Sequence, residues 1–82
     1  MKIIYFAWLK NITNTEYEEI IDNKITNIET LKEKLCQKYP KLKEYFFKNQ
    51  IIRIAVNLEY TEKNIAISNQ DEIALFPPVS GG

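Results

Sequence analysis

Gly81 and Gly82 are the only glycines in the chain, and they are its last two residues. At ordinary usage of about 7%, a chain of this length holds roughly six, so their joint placement reads as a selected feature. A terminal Gly-Gly presents an α-carboxylate on backbone without side chains, able to thread a channel too narrow for any residue bearing a Cβ. With a reference pKa of about 3.3 to 3.7 the carboxylate is ionised at neutral pH. It can attack the α-phosphate of ATP once another protein supplies nucleotide and metal, and the acyl-adenylate so formed would accept sulfur or an amine. Gly82 is the candidate reacting residue. Other reactive groups are few. Histidine is absent, which removes imidazole bases, Ser-His and Cys-His pairs and the commonest metal ligand. No metal site and no catalysis housed wholly in this chain are expected. The single cysteine, Cys36, cannot form an internal disulfide and fits a reducing cytoplasm. It follows Leu35 in a helical pattern and reads as a small apolar residue rather than a sulfur relay.

The residues before the glycines suit delivery of such an end. Pro77 and Pro78 fix φ near −65° and favour a stiff polyproline-type path. Pro77, Pro78, Val79, Ser80 and Gly81 are therefore the expected threading segment, and residues 77–82 an extended or flexible tail on a domain of residues 1–76. Six residues reach roughly 20 Å at full extension, and stiffness reduces the ordering entropy lost on docking. The plainer alternative, that Pro-Pro only stops the last strand, leaves the glycines unexplained.

At 82 residues, 45% of them hydrophobic, the chain has room for one domain with one core. Eleven basic and eleven acidic side chains cancel, so the long-range attraction toward nucleic acid or anionic lipid is missing and neither is an expected partner. Met1 to Leu9 is apolar over too short a run, and lacks the small-residue cleavage site, for a signal peptide.

Lys2 to Leu9 is apolar on both alternating sets and predicts a central strand covered on both faces. Asn11 to Thr15 predicts a turn, and Glu16 to Ile21 a partly charged strand completing a hairpin at a sheet edge. Thr26, with Glu29 three residues on, predicts a capping box opening the main helix. Ile28, Leu31, Leu35 and Tyr39 then recur at helical spacing up to Pro40, with the lysines on the solvated side. Lys41 to Lys48 is compatible with a short helical turn or an extended connection. Ile51 to Val56 predicts a well-covered strand in which Arg53 points to solvent or, less simply, toward a partner's carboxylate. Asn57 to Tyr60 predicts a reversal, Asn69 to Asp71 a further turn, and Glu72 to Phe76 the last strand, with an edge free for backbone pairing to a partner. The expected class is α+β: a mixed sheet of four to five strands with one main helix across one face.

The run Asp71-Glu72-Ile73-Ala74-Leu75-Phe76-Pro77-Pro78-Val79-Ser80-Gly81-Gly82, supported by Tyr5-Phe6-Ala7 and Val56-Asn57, resembles the small subunit of molybdopterin synthase, a sulfur carrier with the ubiquitin-like β-grasp fold. That resemblance implies a cytoplasmic, non-catalytic sulfur-donor subunit of a heteromeric sulfurtransferase. The chain would bind no cofactor of its own, and ATP would be used by its activating partner. A ubiquitin-activating-type adenylyltransferase would adenylate Gly82, a sulfur donor would convert it to a thiocarboxylate, and the charged carrier would join the large synthase subunit in a heterotetramer. There it would deliver sulfur to the cyclic pyranopterin monophosphate precursor of the molybdenum cofactor. By motif position Phe6, Tyr60 and Phe76 correspond to apolar residues that contact partners. Filling the core is the plain alternative for Phe6 and Phe76. Two rivals share the activation chemistry: a thiamine-pathway sulfur carrier, against which the Phe-Pro-Pro-Val-Ser spacer argues, and a ubiquitin-like modifier joined to lysines through Gly82.

Overall fold

The computed structural model describes residues 1–78. Five strands, β1 (Lys2–Tyr5), β2 (Tyr17–Glu19), β3 (Arg53–Val56), β4 (Glu59–Thr61) and β5 (Glu72–Phe76), form one sheet in the order β2-β1-β5-β3-β4. The two chain-terminal strands, β1 and β5, lie side by side and parallel, and the other pairings are antiparallel. Helix α2 (Ile28–Lys38) lies across one face. Its Ile28, Leu31 and Leu35 pack with Ile3, Tyr5, Ile54, Val56, Ile73 and Leu75 in the core. Each such aliphatic side chain removed from water contributes about 1.5–3 kcal/mol.

Several boundaries differ from expectation, each for a local reason. Strand β1 ends at Tyr5, because Ala7 takes a left-handed φ of 55° and turns the chain. Leu9 then enters the core at the start of a one-turn helix, α1 (Leu9–Thr13), which replaces the expected turn. Asn14 closes that helix in the left-handed conformation, and the Thr13 hydroxyl donates to the Thr15 carbonyl. Asn and Asp tolerate this conformation better than bulkier residues. The apolar run therefore reflects two elements, and β1 is fully buried on one face only: Ile3 and Tyr5 are buried while Lys2 and Ile4 are half-buried, and Phe6 and Trp8 beyond the strand are exposed. Strand β2 is antiparallel to β1 and occupies an edge as expected, although helix α1 rather than a tight turn joins them.

The main helix starts one residue later than predicted. Asn27, not Thr26, is its cap, and the reciprocal partner is Thr30, not Glu29: the Thr30 N–H donates to Asn27 Oδ1 and the Asn27 N–H to Thr30 Oγ1. Asn is as good a cap as Thr, and Thr30 takes the role usually played by a longer acceptor. After Pro40 the chain forms a π-helical turn over Glu44–Lys48 with Leu42 and Phe46 buried, so the helical option holds. Strand β3 starts at Arg53 and, like β1, is buried on one side only. Asn57 and Leu58, at φ 50° and 70°, make the reversal, which leaves Tyr60 in β4 rather than in the turn. The expected free edge on the last strand does not exist over Glu72–Phe76, since β5 is hydrogen-bonded on both sides, to β1 and β3.

Candidate functional site

Side chains alternate across a strand, so the residues that do not face α2 share the sheet's other face. Register assembles them into rows. The middle row runs Tyr17, Ile4, Ala74, Ala55, Tyr60 from edge to edge. One end of the face is ionic, with Lys2 between Glu19 and Glu72. At the other end, where the chain leaves β5, Arg53 stands opposite Phe76. Phe6 continues β1 there, its N–H donating to the Leu75 carbonyl at 3.0 Å. The two alanines and Ile4 make a low floor, and the aromatic rings stand around it.

Phe6 is 49% exposed and Tyr60 52%, which closes the core-filling alternative for Phe6. Phe76 is half-buried, with its ring centroid 6.5 Å from that of Tyr60. Phe6 and Phe76 thus lie at the tail end of this face, and Tyr60, in the middle row, has its ring near that of Phe76 at the root of the C-terminal segment. Pro77 is buried and Pro78 exposed, so the chain parts from the body no earlier than Pro78. Val79, Ser80, Gly81 and the reacting Gly82 lie outside the described residues.

The polar groups at this end are linked. The Tyr60 hydroxyl donates to Glu62 Oε1 at 2.8 Å, and Arg53 Nη1 lies 3.7 Å from the same oxygen. The hydrogen bond to the carboxylate raises the Tyr60 phenol above its ordinary range. At the opposite end, Asn57 ties the β3–β4 turn to the start of β5. Its side chain donates to Asp71 Oδ1 and accepts from the Glu72 N–H, both at 2.9 Å. The bond from Asn57 and a backbone N–H from Ser68 hold the Asp71 carboxyl below its usual range. Asn57 is therefore a structural clasp.

Residue spacing did not single out Tyr17, Glu62, Ala55 or Ala74. The signal for Tyr17 is its place between Glu16 and Glu18 in a strand, and for the alanines their place as the small members of alternating apolar runs. Glu62 carries no such signal, because its role depends on β4 pairing with β3. Cys36 is half-buried against the core, and burial pushes its thiol up, away from the reactive thiolate. Among the described residues no group of three or more His, Cys, Asp or Glu is placed to hold a metal. The arrangement is a shallow apolar surface for contact, without a nucleophile-base pair.

Known proteins share this architecture. A family model described as "ThiS family" matches residues 3–82. The molybdopterin synthase sulfur carrier subunit of Haemophilus influenzae is 30% identical over 82 residues, covering 100% of this chain and 99% of its own. Among solved structures, SAMP1, a small archaeal modifier protein from Haloferax volcanii, superposes with a TM-score of 0.82 at 26% identity, covering 99% of this chain and 97% of that one. A complex of subunits 1 and 2 of molybdopterin-converting factor from Helicobacter pylori contains a chain similar at 26% identity and a TM-score of 0.64, with 99% and 96% covered. The fold is the ubiquitin-like β-grasp. Because the family model runs from the first strand to the final glycine, the chain belongs to the ThiS family.

Proposed function

We propose that this chain is the sulfur-carrier subunit of molybdopterin synthase, acting through its Gly82 carboxylate. An adenylyltransferase joins that carboxylate to the AMP part of ATP with release of pyrophosphate. A sulfur donor displaces AMP and leaves a thiocarboxylate, a soft anionic nucleophile. The large subunit then takes up the tail, and the thiocarboxylate sulfur attacks the pyranopterin precursor, two deliveries building its dithiolene. The face bearing Phe6, Tyr60 and Phe76 docks on each partner in turn while residues 78–82 enter its active site. Five residues span about 16–18 Å at full extension.

The observation that carries this reading is the end-to-end match to a relative named as that subunit, at 30% identity. The H. pylori complex of the two converting-factor subunits supports a large-subunit partner. The likeness to SAMP1 favours a second reading, a modifier that ends in an isopeptide bond to lysine. Incubation of the purified chain with ATP, its activating enzyme and a sulfur source, followed by intact mass spectrometry, separates the two. Replacement of one oxygen by sulfur is expected; lasting attachment to lysines without it would favour the modifier.

A further inference from the structure

The geometry points to Arg53 as a specificity-determining contact: its guanidinium meets a carboxylate of the large subunit at the root of the tail. This inference rests on the docking face proposed above. Arg53 occupies the tail-end row of that face, opposite Phe76 and next to Glu62, the carboxylate to which Tyr60 donates. Any surface that covers Phe76 and Tyr60 together also covers the guanidinium between β5 and β4.

A covered guanidinium needs acceptors for its five N–H groups, and an unpaired buried charge is costly. Among the described residues its ionic contact is Nη1 to Glu62 Oε1 at 3.7 Å, through one guanidinium nitrogen. The Glu62 side chain is 71% exposed, on the edge-strand side, and its oxygen already accepts from Tyr60. Glu62 therefore holds Arg53 loosely, and an exposed pair of this kind contributes little stability. Exchanging it for a carboxylate of the partner, with the planar fork engaged, is favourable once water is excluded. The other cations near this face lie toward β2, Lys2 over the Tyr17 ring and Lys10 beside Glu16, whereas Arg53 stands next to Phe76 and Tyr60. It thus sets both the charge and the angle of approach that a partner must match.

The test is the dissociation constant of the complex with the large subunit of the same organism, measured at several salt concentrations. Arg53→Gln, which keeps donors but removes the charge, is expected to weaken binding about 10- to 100-fold and flatten its salt dependence. Arg53→Lys should recover part of the loss, and Glu62→Gln should leave affinity within about threefold of the parent or improve it. Thermal melting of each variant should stay close to the parent, since the pair is exposed. Arg53→Gln binding as tightly as the parent overturns the inference, as does a loss on Glu62→Gln equal to that on Arg53→Gln. A parent chain that fails to bind the large subunit at all overturns instead the function on which this rests.

Discussion

Leu58 is poorly suited to its position. It is 89% exposed at the tip of the β3–β4 turn and holds φ at 70°, a left-handed conformation that brings its Cβ against its own backbone. Asn-Gly is the favoured pair for a two-residue hairpin turn, and here only the Asn is present. Leu58→Gly should therefore raise stability, by up to about 1 kcal/mol after the added freedom of the unfolded chain is subtracted. Equilibrium unfolding in urea measures it, and a fall in stability would show that the Leu58 side chain makes an interaction outweighing the strain. At the same turn, Val56-Asn57 belongs to the sequence resemblance, and the structure supplies the physical reason for Asn. It tolerates φ 50° and its amide spans from Asp71 to Glu72.

At the scale of elements, β2 is, like β4, a three-residue strand at an edge of the sheet. It is fastened to the layer below by Glu18, whose carboxylate accepts from the hydroxyls of Tyr5 and Tyr39 and from Lys38. Burial alone pushes the Glu18 carboxyl up, but these bonds from Lys38, Tyr39 and Tyr5 outweigh it and hold it below the usual range. A carboxyl depressed in the folded state adds stability that is complete above its unfolded pKa and is lost as pH falls through the folded one. Stability should thus decline below about pH 4.5. Glu18→Gln should flatten that acid limb while lowering stability at pH 7 by about 1–3 kcal/mol. Urea unfolding between pH 3 and 7 checks both, and an unchanged limb would assign it to other carboxylates. Tyr5 and Tyr39, raised chiefly by burial, have the opposite sign, and their contribution is lost as pH rises beyond the ordinary tyrosine range. Sequence spacing placed β2 at an edge from its carboxylates. It did not reveal that one of them faces inward, because that depends on Ile3 pairing with Glu18.

For the molecule as a whole, the core and the chemistry are separated along the chain. The buried hydrophobic cluster extends from Met1 to Leu75, while the proposed reacting atom is seven residues farther on, at Gly82. Deleting Gly82 should abolish sulfur transfer and shift the melting temperature by no more than about 1–2 °C, since residues 1–75 supply the packing. Transfer by the shortened chain, followed as thiocarboxylate mass or product formation, would contradict the proposed carrier. No helix among the described residues is long and apolar enough to cross a membrane.

The sequence by itself determined the α+β class, the edge strand and the main helix, because each is written in a local pattern: alternation, helical spacing, a proline stop. The β-grasp was implied only by the resemblance of the last twelve residues, and Gly82 stands as the proposed reacting residue. Only the tertiary structure decided that β5 sits between β1 and β3, that a single face of the sheet is covered, and that Phe6, Phe76, Tyr60, Arg53 and Glu62 meet at one end of the other. Those facts follow from strand order and register, which join residues up to seventy positions apart, such as Lys2 and Glu72. The apolar run from Lys2 to Leu9 predicts cover on both faces, and only the structure shows Phe6 and Trp8 left exposed. The left-handed turn at Ala7 was likewise hidden, since alanine gives no local sign of it and the burial of Leu9 holds the chain there.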